Sequence, residues 1–206
     1  MRIPYAPSTP ENPDPTTSDI YKRIAERRAP RPLIPLDLAL LHSPPVADGW
    51  NNFLGAIRTK TAVDPATLEL AVCRVGILNG AYHEWAVHSL IALKAGISVE
   101  GLETVRTRDA LGAGEVPQGV EGGLSAKEWA VVAYTDQMTR NVKVDDATFA
   151  RLREHFPSER DVVEITATVA AYNCVSRFLV ALDVGENNGK EMKSVEELSK
   201  AAHVKK

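Results

Sequence analysis

The sequence predicts an all-α protein, and three observations carry that prediction. Apolar residues recur at near-helical spacing, as in Leu68, Val72, Val75, Ile77 and Leu78, and again in Trp85, Leu90, Leu93 and Ala95. Helix starts and stops bracket these runs: Ser43-Pro44, Ser98, Ser125 with Glu128 three positions on, then Gly96 and Gly185. No segment sustains the period-2 alternation of a half-buried strand.

Taken in order, residues 1–17 are rich in Pro, Ser, Thr and Asn and read as an extended arm. Ser18 is the expected N-cap of a short basic helix from Asp19 to Arg28, ended by Pro30 and Pro32. The piece LIPLDLALLHSPPVADGWNNFLGAIRTKT follows, with Ser43 as N-cap and Pro44 at the first helical position. That helix runs through Trp50, Phe53, Leu54 and Ile57. After the stretch at 65–97, Ser98 caps a helix through Glu100 and Leu102 to about Arg106. Residues 107–124 hold five glycines and one proline, and so form a loop. Ser125 and Glu128 make a capping box before AVVAYTDQMTRNV, and a helix near 145–155 carries Phe149, Leu152 and His155. Ser158 caps a long apolar helix through Val162, Ile165, Val169, Tyr172, Val175, Phe178 and Leu182. The resulting partition is an arm and short helix at 1–32, a helical domain at 33–185, and a polar, Lys-rich tail at 186–206 with at most a frayed helix.

Residues 65–97, PATLELAVCRVGILNGAYHEWAVHSLIALKAGI, concentrate the chemistry. Asn79-Gly80 breaks the stretch, since Gly tolerates positive φ and Asn does so more often than most residues. On one straight helix Glu69 and His88 would lie roughly 28 Å apart at 1.5 Å per residue. Folding back at Asn79-Gly80 brings Glu69, ten residues before the break, level with His88, eight residues after it. His83 and Glu84 then sit on the first turn of the second helix. Glu84 and His88 are i,i+4 neighbours on one face, and His83 points roughly 100° away. Two acids and two imidazoles are thereby gathered at one hairpin.

Composition limits the partners. The 206 residues suffice for one domain with a proper core, and 44% hydrophobic with 25% charged residues is ordinary for a soluble globular chain. A net charge of −3 gives no support for nucleic acid or an anionic membrane as partner. No uninterrupted apolar run reaches the roughly 18 residues of a membrane span. The N-terminus lacks the apolar region of a secretory signal, and Cys73 and Cys174 read as reduced, buried thiols; the expected location is cytoplasmic.

The segment ELAVCRVGILNGAYHEWAVHSLIALKAG resembles the signature of the carboxymuconolactone decarboxylase and alkylhydroperoxidase D (AhpD-like) superfamily. The stretches LALLHSPPVADGW, LSAKEWAVVAYTDQMTR and AAYNCVSRFLVALDVG extend the resemblance over most of 33–185, as in long single-chain members. It implies an AhpD-like helical bundle with a central helix hairpin, assembled as a homo-trimer or hexamer. In the peroxidase branch a Glu is followed, after eleven residues, by Cys-x-His-Cys and a further His four positions on. Here the Glu falls on Glu69 and the two His on His83 and His88, while the cysteine positions hold Ala81 and Glu84. The decarboxylase branch often has His-Glu at the last pair, as His83-Glu84 does here.

Thiol peroxidase chemistry needs an attacking thiolate and a resolving thiol, which Ala81 and Glu84 do not supply. Cys73 is the one candidate thiol near the motif, and Cys174 would have to approach it through the fold. The favoured function is cofactor-free acid/base chemistry of a lyase on a small carboxylate or lactone. His88 is the general acid/base, Glu69 orients it, and His83 is a second proton-handling group. Arg74 is the candidate clamp for a substrate carboxylate, Glu84 an accessory carboxylate, and Tyr82 and Trp85 candidate pocket walls.

Bland roles stand beside these. Glu69 is also a dipole-favoured acid near a helix start or a partner of Arg74, and Arg74 a structural ion-pair partner. Tyr82 and Trp85 fit a core or subunit interface. His42 satisfies a loop carbonyl, His155 suits a helix C-terminus, and Glu128 and Arg177 are capping or ion-pairing residues. A metal site is disfavoured because His83 and His88 are five residues apart, about 140° around a helix. An AhpD-like thiol peroxidase and a non-catalytic oligomeric binding protein are the remaining alternatives.

Overall fold

Prolines and short polar side chains set nearly every helix start in the computed structural model, which describes residues 1–204. Among those residues there are ten α-helices and no strand, with one isolated bridge between Glu121 and Leu124. They fall into two compact units, Met1–Thr61 with Phe178–Glu186, and Ala62–Arg177 with Asn187–Lys206. This division differs from the partition at 32 and 185 drawn from composition.

The first unit holds α1 (Pro15–Arg28), α2 (Pro35–Leu40) and α3 (Pro44–Thr59). The arm is shorter than expected. Asp14, not Ser18, caps α1 by accepting the Thr17 N–H at 3.0 Å, and Pro15 occupies the first turn where no N–H is needed. The short helix α2 was hidden in the run LIPLDLALL because six residues are too few to show a period. Ser43 does precede α3, but its side chain makes no capping bond. Ile20, Tyr21, Ile24, Leu40, Leu41 and Ala47 form the core, and Asp37 within it receives both Nε and Nη2 of Arg28 at 2.7 and 2.8 Å. His42 Nε2 lies 2.7 Å from the Pro4 carbonyl, a loop-satisfying role.

The second unit holds α4 (Pro65–Leu78), α5 (Tyr82–Ala95), α6 (Val99–Thr107), α7 (Ala126–Arg140), α8 (Asp146–His155), α9 (Glu159–Leu182) up to Arg177, and α10 (Val195–Val204). Asp64, Ser98 and Asp145 cap their helices, and Ser125 with Glu128 forms the expected capping box. Asn79 ends α4 and Gly80 takes the turn at φ +65°. Gly76 then allows the two helices to lie close. A Cβ there would come within 3.1 Å of Glu84 Cβ and 3.2 Å of the Trp85 nitrogen. The tail is docked rather than frayed over its described residues. Ser194 and Glu197 cap α10, Val195 is fully buried, and its N–H reaches Glu103 at 2.8 Å.

By length and composition alone α9 is long and apolar enough to cross a membrane, unlike the expectation from uninterrupted runs. Core helices share that length and composition, and Ile165, Thr168, Val169, Ala171 and Tyr172 of α9 are buried.

Arg74 and Asp136, both fully buried, join α4 to α7. Arg74 Nε and Nη2 reach the two Asp136 oxygens at 2.5 and 2.9 Å, and its other donors go to the carbonyls of Val105, Arg108 and Asp109. Asp136 also accepts the Leu111 N–H at 2.8 Å. Removing one partner strands a buried charge, so Asp136→Ala should destabilise by about 3–5 kcal/mol in denaturant titration. Lys127→Ala, which breaks an exposed pair with Asp64, should cost less than about 1 kcal/mol.

Glu164 of α9 accepts the N–H groups of Ala62 and Val63 ahead of α4, at 2.6 and 3.0 Å. Burial alone would raise its carboxyl, but Arg160 and these two amides hold it below the ordinary 4.5. A lowered native value adds stability above the unfolded value and loses it as pH falls through the native one. Glu164→Gln should therefore lower Tm at pH 7, and the gap to wild type should close as the pH drops below about 4.5.

Candidate active site

Helix periodicity alone puts Glu69 one turn before Cys73 on α4, and Glu84 one turn before His88 on α5. The turn at Asn79-Gly80 lays these helices side by side. Glu69 Oε2 meets His88 Nδ1 at 2.5 Å, with side chains 18% and 5% exposed. The contact is short for an N···O hydrogen bond, as suits a carboxylate acceptor, and makes Nδ1 the donating nitrogen. The opposite wall comes from α9. The Tyr172 ring stands edge-on to the imidazole, centroids 5.0 Å apart and planes at 82°.

Cys73, one turn after Glu69 on α4, has no exposed surface. Burial pushes its thiol well above the ordinary 9.0, and the nearby charges of Glu69 and Glu84 push the same way. Cys174 is exposed, contrary to the expectation of two buried thiols, and no disulfide joins the two.

The other expected site residues divide. His83 and Tyr82 are half-buried on the first turn of α5, with the Lys190 ammonium 5.6 Å above the Tyr82 ring. Glu84 is 1% exposed and faces α4 near Gly76, so it is an interior carboxylate of the hairpin. Arg74 is not a substrate clamp. All five N–H donors of its guanidinium are committed to Asp136 and three carbonyls. Trp85 is not an open pocket wall either. It has no exposed surface, and its indole N–H donates to the Lys193 carbonyl at 2.7 Å, anchoring the chain ahead of α10. Among the described residues no group of three or more His, Cys, Asp or Glu side chains is arranged to hold a metal ion.

Two participants escaped the sequence. Tyr172 reads there as one apolar position among seven on α9, and nothing in its spacing distinguishes it. Asp136 sits amid AYTDQM with no signal beyond its charge. Asn79, at the turn, donates to Asn173 Oδ1 and Ser176 Oγ at 3.1 and 2.7 Å, and so fixes α9 against the end of α4.

Comparison with known proteins agrees with this architecture. Residues 44–118 match the model of the Carboxymuconolactone decarboxylase family. No curated protein matches the sequence. Among solved structures, the chain is similar to an uncharacterized peroxidase-related protein from Ralstonia eutropha with an alkylhydroperoxidase AhpD core. The TM-score is 0.65 at 18% identity, covering 96% of this chain and 93% of that one. It is also similar to a protein of unknown function from Agrobacterium tumefaciens, provisionally described as the antioxidant defence protein AhpD. There the TM-score is 0.55 at 18% identity, over 69% and 90% of the two chains. At such identity the likeness is one of fold. The segment that matches the Carboxymuconolactone decarboxylase family model contains both Glu69 and His88, and the helical fold around it is similar to that of the two AhpD-like structures.

Proposed function

We propose that the chain is a cofactor-free acid/base enzyme that decarboxylates a small keto acid or lactone carboxylate, or carries out closely related proton-transfer chemistry on one. The observation that carries this is the 2.5 Å contact between Glu69 and His88 in a nearly enclosed setting. A carboxylate at Nδ1 fixes the tautomer, stabilises the imidazolium, and directs proton transfer to Nε2. As CO₂ leaves, the electron pair of the broken C–C bond passes to the α-carbon and delocalises into the adjacent carbonyl. The His88 imidazolium then gives its proton to that carbon, and the neutral ring is reprotonated from water. His83 is the second proton-handling group, and it lies on the same first turn of α5 as Tyr82.

The environment of Cys73 supports this reading over thiol peroxidase chemistry. A nucleophilic cysteine needs exposure and a lowered pKa, whereas Cys73 is enclosed, raised, and flanked by two acids. Ala81 and Glu84 occupy the positions where the resemblance would put the attacking and resolving thiols.

A paired assay tests the proposal. CO₂ release from a panel of β-keto and lactone carboxylic acids should fall about 10²–10⁴-fold in His88→Ala and in Glu69→Gln. Hydroperoxide consumption with a dithiol reductant should stay at the uncatalysed rate in wild type; turnover that depends on Cys73 would overturn the proposal. In the native protein a disulfide reagent should label Cys174 alone, and Cys73 should react only after denaturation.

A further inference from the structure

A hydrogen bond at one ring nitrogen does not by itself hold an imidazole. The ring can still swing about the N···O line, or flip about Cβ–Cγ and exchange Nδ1 with a carbon. His88 in that condition would present Nε2 only part of the time. The geometry around His88 removes this freedom. Tyr172, 2% exposed, stands nearly perpendicular to the imidazole at 5.0 Å between centroids, where a flipping ring would have to sweep. His88 is itself 4% exposed, so the surrounding packing leaves little room for it to move aside.

The tyrosine is in turn held in register. Asn173, the next residue, donates to Thr139 Oγ1 at 3.0 Å and accepts from Asn79 at 3.1 Å, so α9 is tied to both α7 and the hairpin turn. Ser176 Oγ accepts a second bond from Asn79 at 2.7 Å. The helix that brings Tyr172 to His88 is thus pinned within one turn of the contact.

We propose that Tyr172 is a positioning residue: its ring, wedged edge-on against His88, locks the imidazole so that Glu69 always receives Nδ1–H and Nε2 always faces the reacting atoms. The proposal rests on the acid/base reading of His88 above. What acts is the shape of the ring, since an edge-on aromatic contact depends on the ring quadrupole and its volume. The tyrosine neither gives nor takes a proton in this role.

The test is long-range ¹H–¹⁵N NMR of the full chain labelled in its histidines, which reads the tautomer of each ring directly. At a pH where the ring is neutral, His88 in wild type should show a single tautomer protonated at Nδ1, and Tyr172→Phe should preserve that pattern. Tyr172→Leu and the more volume-conserving Tyr172→Met should instead give averaged ring-nitrogen shifts, while circular dichroism confirms that each variant is folded. A folded Leu or Met variant that keeps the wild-type tautomer pattern would overturn the positioning role and leave the dyad standing. Loss of the pattern in Tyr172→Phe would overturn it too, by assigning the effect to the hydroxyl. A wild-type His88 whose signals do not change in Glu69→Gln would instead remove the dyad, and with it the proposed function.

Discussion

Burying one guanidinium in the second unit is the constraint on which the rest of that unit depends. A charge as enclosed as Arg74 is tolerated only when every donor is met, and no single element can meet five. Asp136 of α7 takes two, and the carbonyls at the end of α6 and just beyond take three. The Leu111 N–H on Asp136 brings in the glycine-rich loop as well. Three segments, α6, the loop after it and α7, are therefore fixed relative to α4 by one buried pair. Such a network specifies an arrangement more than it stabilises one, because desolvation offsets much of the Coulomb attraction.

The hairpin of α4 and α5 encloses an imidazole beside a carboxylate. Glu69 retains some contact with solvent and His88 almost none, so a proton entering the site meets an imidazole already facing a carboxylate. Gly76 matters here in a simple steric way. A Cβ at that position would crowd Glu84 and Trp85, so the two helices would have to give by about a few tenths of an ångström near the first turn of α5.

The same packing that serves the imidazole silences the sulfur. Cys73 shares a helix face with Glu69, one turn away, and the acids that surround it disfavour a thiolate. Acid/base and thiol chemistry make opposite demands on such a site, and the surroundings of Cys73 favour the acid/base reading proposed above. Glu84 stands at the point of divergence: it is an interior carboxylate at a position where the resemblance in the peroxidase branch places a cysteine.

The sequence by itself determined most of the helices, the caps at Ser98 and Ser125, the break at Asn79-Gly80 and the meeting of Glu69 with His88. These follow from helical pitch and turn chemistry acting over short stretches, and the pair is only 19 residues apart around one turn. It misplaced what depends on a neighbour supplied by a distant segment. Arg74 could be a clamp or a strut until Asp136, 62 residues away, was seen to hold it. Trp85 could line a pocket until the Lys193 carbonyl covered its N–H, and the tail could fray until Val195 was found in the core. Tyr172 was one more apolar residue until α9 brought it to His88. Local periodicity states which face a side chain takes; only tertiary packing decides what stands opposite that face, because long-range contacts leave no regular mark on residue spacing.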